Sequence, residues 1–192
     1  MNANQDNNNT PKRVAILAAD GFEEIEFVVP FDILREAGLE VDLVSVDGAA
    51  QVTGTNGLVI DGCVPLEGYD FSVASALVVP GGGGYAPIEA SEKATEQIKA
   101  FGSNPDKVLG AICAGASIPG KLGLYEGRKY TVVPGMDGDF GGTFEKTHAV
   151  VDGNIVTGIS VGGAFEFAFD LVERICGEEM AKKLRKQTFW EI

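Results

Sequence analysis

Hydrophobic residues in this chain come in short unbroken runs, separated by stretches in which they recur at helical spacing. Residues 13–18 (Arg-Val-Ala-Ile-Leu-Ala), 76–80 and 108–112 are such runs, and residues 41–46, interrupted by Asp42 and Ser45, follow as a further strand. Continuous apolar character over so few residues predicts strands buried on both faces, as in a parallel sheet. Asp20-Gly21 ends the first run as a turn. Residues 22–38 predict a helix closed by Gly38 as its C-terminal cap. Pro30 has no N–H and costs roughly 3 kcal/mol inside a regular helix, so this helix either starts near Val28 or kinks at the proline. Residues 51–53 and 58–60 flank Gly54-Thr-Asn-Gly57, a strong turn sequence, and predict a small hairpin. Residues 91–101 predict an exposed helix, and residues 130–133, 149–151 and 154–157 predict later strands, with Asp152-Gly153 turning between the last two. Helices over 164–176 and 178–186 complete the chain, with Phe165, Phe169 and Val172 as core positions.

This alternation predicts one α/β domain over residues 12–192, a three-layer sandwich of a mostly parallel sheet with helices on both faces and a small β-hairpin. Residues 1–11, polar and rich in asparagine, predict a disordered tail.

Composition narrows the function classes. With 45% hydrophobic and 22% charged residues the chain has the make-up of an ordinary soluble globule. A net charge of −13 leaves no basic excess to displace counterions from a phosphate backbone, so nucleic acid is not an expected partner. The first residues lack an apolar core region, so neither a signal peptide nor a membrane span is expected there. Cys63, Cys113 and Cys176 form no CxxC or Cys/His cluster; a reducing cytoplasm and no metal follow as expectations.

The chemistry centres on Cys113. Ala111-Ile-Cys-Ala-Gly115 places it between a strand and the opening of a helix, in the small-x-nucleophile-x-Gly pattern of a nucleophile elbow. A sulfur over a helix N-terminus is expected to have a lowered pKa; the bland alternative is a small buried hydrophobe after a strand. Two other features land at the same carboxyl edge of the sheet, where ligands of such folds bind. One is the loop after the first strand, with Glu23, Glu24 and Glu26. The other is Gly81-Gly-Gly-Gly84 after the third, where the N–H of Gly82, with that of Ala114, would form an oxyanion site. A glutamate turned inward beside the sulfur would be protonated by desolvation and charge repulsion, and would donate to it or relay a proton.

Ala18-x-Gly-Phe-Glu-Glu-Ile-Glu26 with Pro30-x-Asp32, Val-Val-Pro-Gly-Gly82, Ala111-Ile-Cys-Ala-Gly115 and Gly163-Ala-Phe-Glu-Phe-Ala168 together resemble the ThiJ/PfpI superfamily, in particular its parkinsonism-associated deglycase (DJ-one) branch, over about residues 12–188. The resemblance implies a flavodoxin-like fold, a homodimer and no cofactor. It places the nucleophile on Cys113, its protonated partner on Glu26, and backbone oxyanion contacts on Gly82 and Ala114. The implied activity is glyoxalase III or deglycase chemistry on α-oxoaldehydes such as methylglyoxal. The implied alternative is an oxidative-stress sensor in which Cys113 becomes a sulfinate. Ala114 stands where PfpI-type peptidases carry histidine, which disfavours a peptidase. Val133 stands where the deglycase branch often has a histidine, and Asn56 near an arginine that commonly reaches in from a partner hairpin. His148, the only histidine, is expected to be a surface or structural residue, which leaves base work to Glu26.

Overall fold

A computed structural model describes residues 12–190 of the chain; the tail expected over residues 1–11 lies outside the described residues. Strand β1 (Arg13–Ala18) leads to helix α1 (Glu24–Glu36), then to β2 (Glu40–Ser45), the hairpin strands β3 (Gln51–Thr53) and β4 (Val59–Asp61), and a short β5 (Val64–Pro65). Next come β6 (Ala74–Val79), α2 (Tyr85–Ala90), α3 (Glu92–Ser103), β7 (Val108–Ile112) and α4 (Ser117–Lys121). The remainder is β8 (Lys129–Tyr130), β9 (Thr143–Phe144), β10 (Ala149–Asp152), β11 (Ile155–Gly158), α5 (Ala164–Cys176) and α6 (Glu178–Gln187).

The main sheet has seven strands in the order β10-β11-β7-β6-β1-β2-β5, all paired in parallel except β10 with β11. Its parallel heart, β2-β1-β6-β7-β11, is the flavodoxin-like order, in which the chain changes direction across the sheet after β2. Alternation along β1 shows the layering. Val14, Ile16 and Ala18 join the core beneath α1, α5 and α6, whereas Ala15 and Leu17 join the core beneath α3 on the opposite face. The three-layer sandwich with a small antiparallel hairpin is therefore the observed architecture.

Two local expectations needed the tertiary structure. Helix α1 begins at Glu24, before Val28, with Pro30 inside it; Glu23 is the N-cap, its carboxylate accepting the Glu26 N–H at 2.8 Å. Gly38, at φ 81°, follows the helix as expected of a glycine C′ residue. The strand expected over 130–133 is confined to Lys129–Tyr130, in a separate two-stranded sheet with β9. Antiparallel β10 already occupies the edge of β11. The Thr131 N–H is satisfied instead by the Thr157 hydroxyl at 2.9 Å, and Tyr130 and Val132 are buried with Tyr125 in an aromatic cluster.

Candidate active site

Strand β7 leaves the sheet at Ile112 in extended geometry, and the next residue, Cys113, has φ 56°. A left-handed backbone at a non-glycine residue costs on the order of 1–3 kcal/mol and persists only where surrounding packing imposes it. Here the constraint is visible. Residues 113–116 make one tight 3-10 turn, Cys113–Ala116, before α4. A Cβ on Gly115 would lie 2.3 Å from the Pro80 carbonyl oxygen, so only glycine lets the turn lie against the end of β6. The Ser117 hydroxyl donates to the Ala114 carbonyl at 2.7 Å, and the buried Tyr125 hydroxyl donates to the Ala116 carbonyl at 2.8 Å. Cys113 is thus the hinge of a pinned elbow and is partly buried.

Glu26 reaches it from α1. Its place on the inward face follows from spacing, since Glu26, Phe27, Pro30, Ile33 and Leu34 are the buried residues of that helix. Its side chain is fully buried, and neither carboxyl oxygen has a partner in hydrogen-bond geometry among the described residues. Gly81 is what lets the two groups meet. A Cβ there would lie 2.2 Å from Glu26 Oε2 and 2.6 Å from the Cβ of Cys113. The neighbouring Gly82, at φ 72°, bridges Phe22 in the loop after β1, and a Cβ on it would come within 2.3 Å of the Glu23 nitrogen. The glycine run is therefore a surface for close loop packing, flanking the cysteine rather than forming an open phosphate cradle.

The three clustered glutamates have three separate tasks. Glu23 caps α1. Glu24 accepts the Asn56 side-chain amide at 2.9 Å and also its backbone N–H, tying the hairpin tip to the start of the helix. Only Glu26 turns inward. Asn56 is accordingly engaged with its own chain.

Against known proteins, the model of the DJ-1/PfpI family matches residues 12–174. The chain belongs to the DJ-1/PfpI family. It is 31% identical to DJ-1 homolog B of Arabidopsis thaliana over 93% of this chain and 41% of that longer protein. It is 33% identical to a deglycase of Pyrococcus abyssi, strain GE5 / Orsay, over 84% of this chain and 98% of the relative. Among solved structures, oxidized Toxoplasma gondii DJ-1 superposes with a TM-score of 0.85 at 27% identity, covering 93% of this chain and 98% of that one.

In this DJ-1/PfpI chain the electrostatics of the Cys113–Glu26 pair follow from burial. Desolvation raises the Glu26 carboxyl from 4.5 to about 7, against the lowering influence of the Cys113 thiol and the Val161 and Gly81 N–H groups. The expectation of a lowered thiol pKa is corrected. Burial, and then the charge of Glu26, push Cys113 up to about 12, and the Ala114 N–H and Ser160 hydroxyl only partly oppose this. Sequence spacing suggested a helix dipole under the sulfur, but the structure supplies one 3-10 turn and a five-residue helix. Desolvation outweighs so short a dipole. The thiol therefore stays protonated at neutral pH, where Glu26 is releasing its own proton, and an ionised Glu26 holds the thiol proton more firmly still.

The structure adds one residue that the sequence reading did not single out. Ser160, in the loop after β11, places its hydroxyl oxygen 4.0 Å from Cys113 Sγ. The signal was the sheet itself, because β11 pairs with β7 and Gly158 lies opposite Ile112. Val133 packs into the aromatic core cluster. His148 is exposed, its carbonyl accepting the Ile159 N–H at 3.0 Å. Among the described residues no group of three His, Cys, Asp or Glu side chains is placed to hold a metal ion, and no helix is long and apolar enough to cross a membrane.

Proposed function

We propose that this chain is a cofactor-independent cysteine enzyme of the deglycase or glyoxalase III kind, acting on small reactive α-oxoaldehydes. The observation that carries the reading is the fully buried, unpartnered carboxyl of Glu26 set against Cys113. A buried acid with no structural partner is costly to keep and is characteristic of groups that move protons. The deglycase relative from Pyrococcus adds support.

In this reading Glu26 takes the thiol proton, and the thiolate adds to the aldehyde carbon. The carbonyl π pair becomes an alkoxide, held by the N–H groups of Ala114 and Gly82 until protonated. Ionised again, Glu26 removes the hydrogen on that carbon as a proton and the resulting enediol is reprotonated at the neighbouring carbon. The product is a thioester of the 2-hydroxy acid. Water cleaves it, releasing the acid and restoring the thiol, with no net oxidation or reduction. Purified protein mixed with methylglyoxal is expected to form lactate, and Cys113→Ser to abolish it. No lactate, or lactate from Cys113→Ser, overturns the reading.

The protein is expected to act as a homodimer. Ile25 and Val28 on α1 and Leu58 and Val59 at the hairpin are exposed apolar side chains. Beside them lies an apolar depression of about 240 Å³ between Phe27, Val28, Phe31, Leu43 and Ile60. Light scattering should give the mass of two chains, and Val28→Asp should reduce it to one.

The oxidized Toxoplasma relative favours a second reading, in which Cys113 is oxidised to a sulfinate held by Glu26 and the same N–H groups. Peroxide-treated protein would then carry two added oxygens at Cys113 by mass spectrometry, with no lactate formed from methylglyoxal.

A further inference from the structure

Cys113 has a neighbour on each side. In the sheet order β11-β7-β6, β7 is the middle strand. Gly81, against which the Glu26 carboxyl packs, follows β6, whereas Ser160 follows β11. The two side chains acting on the sulfur therefore enter from opposite flanks. Ser160 lies in extended backbone at φ −180°, and its carbonyl accepts the Gly163 N–H at 2.8 Å, which starts the turn Val161–Gly163 leading into α5. Its backbone is thus fixed by the fold. Its hydroxyl is left with the sulfur as its side-chain partner at 4.0 Å. Two residues earlier, Gly158 pairs with Ile112, and a Cβ there would lie 2.8 Å from the Ile112 side chain, so glycine lets the end of β11 lie close beside the residue that precedes Cys113.

We propose that the Ser160 hydroxyl is a positioning residue for Cys113: it donates a hydrogen bond to the thiolate from the β11 side while Glu26 holds the displaced proton on the β6 side. The inference rests on the reading of Cys113 as a nucleophile, and it deepens that reading by naming a second group that sets the thiolate population. No proton leaves Ser160. The thiol proton goes to Glu26, and the hydroxyl rotates to point its hydrogen at the charged sulfur. Such rotation is open to a serine hydroxyl, which donates and accepts with equal ease, and a donor to the charged form favours that form. With valine at position 133 and histidine 148 exposed, this hydroxyl is the side-chain donor that, among the described residues, joins Glu26 beside the sulfur.

The test is the pH dependence of Cys113 alkylation by iodoacetamide, read by mass spectrometry of the Cys113 peptide in the full chain. Ser160→Ala should move the alkylation midpoint upward by about 0.5–1 unit and slow alkylation at pH 7 about 3- to 10-fold. Ser160→Thr, which keeps the hydroxyl, should restore most of the rate. Thermal midpoints of both variants should stay close to that of the parent chain. An Ala variant that titrates like the parent overturns the proposal. So does a Thr variant that falls as far as Ala, because loss would then follow packing and not the hydroxyl. Should Ser160→Ala fail to fold, Ser160→Gly compared with Ser160→Thr carries the same contrast. Titration reads Ser160 whether or not the chain turns over methylglyoxal. A shifted midpoint without lactate formation leaves the Ser160 role standing and removes the enzyme reading; lactate formation with an unshifted midpoint does the reverse.

Discussion

The carboxylate of Glu23 accepts the backbone N–H of Glu26 at 2.8 Å, so one acid fixes the start of the helix that buries another. Glu23 also raises the pKa of Glu26 by its charge. The two effects can be separated. Glu23→Gln keeps an acceptor for the cap and removes the charge, whereas Glu23→Ala removes both. Loss of an N-cap costs about 1 kcal/mol, so Glu23→Ala should lower the denaturation free energy by that amount. Glu23→Gln should change stability little and lower the Glu26 pKa slightly. Chemical denaturation of the two variants, with the alkylation profile of Cys113, checks both.

Glu24 has a different predicted phenotype. It accepts both amide donors of Asn56 and touches neither Cys113 nor Glu26 in the contacts described. Glu24→Ala should loosen the hairpin tip and leave the alkylation midpoint of Cys113 unchanged. Faster amide exchange over residues 53–58 with an unaltered thiol titration is the expected result. A titration that moves with Glu24 would mean that the hairpin, not α1 alone, positions Glu26.

Stability should fall as pH rises through the acid range, and Glu26 sets a large part of the slope. Its folded pKa, about 7, exceeds the ordinary 4.5, so between these values the folded state holds a proton that the unfolded chain has released. Stability is therefore full below about 4.5 and is lost as pH approaches 7. A single group so shifted contributes about 3 kcal/mol across that window. Asp170, raised to about 6 by its burial, acts in the same direction, so the comparison must be between the parent and Glu26→Gln. The variant should lose the Glu26 part of the slope and keep the contributions of Asp170 and of the carboxylates lowered by their hydrogen bonds, such as Asp47 and Asp70. Without the charge of Glu26, its thiol should also titrate below the parent's value of about 12.

Much of this was legible beforehand because the strands that build the site are buried on both faces, and continuous apolar runs are hard to mistake. β1 and β7 fell on their expected residues, as did α5. The elbow at Cys113 followed from small-residue spacing, whereas the choice of Glu26 among the three glutamates came from the family resemblance and not from spacing. Three things were not legible. The strand expected at 130–133 had the right composition, but β10 had taken the neighbouring edge, which only topology reveals. The start of α1 depended on Glu23 as a cap, and glutamate is not a preferred N-cap residue. The thiol pKa depended on burial in the folded chain and on the charge of Glu26, a residue more than 80 positions away.

Gly81 should tolerate no side chain. A methyl group there would overlap Glu26 Oε2 at 2.2 Å and the Cβ of Cys113 at 2.6 Å, whereas at Gly83 it would meet only the Gly21 carbonyl oxygen, at 3.6 Å. Overpacking of this kind costs about 1–3 kcal/mol. Gly81→Ala should therefore destabilise the chain by that amount and displace the carboxyl from the sulfur, while Gly83→Ala should leave stability within about 0.5 kcal/mol of the parent. Thermal melts and Cys113 alkylation of both variants form the check.

The strained backbone at Cys113 yields the last prediction. At φ 56° any residue with a Cβ is disfavoured relative to glycine, and alanine carries that penalty with no thiol. Cys113→Gly should therefore be more stable than Cys113→Ala by about 1 kcal/mol. Comparing these two removes the sulfur from both sides and leaves the backbone term, which comparison with the parent cannot do because the cysteine is partly buried. Both variants should be silent towards methylglyoxal. A glycine variant that gains stability while losing the chemistry would show that this turn is held for the placement of a sulfur and not for the fold. If alanine instead proves as stable as glycine, the elbow relaxes to an ordinary conformation when the thiol is removed, and the strain belongs to the Cys113–Glu26 contact rather than to the turn sequence.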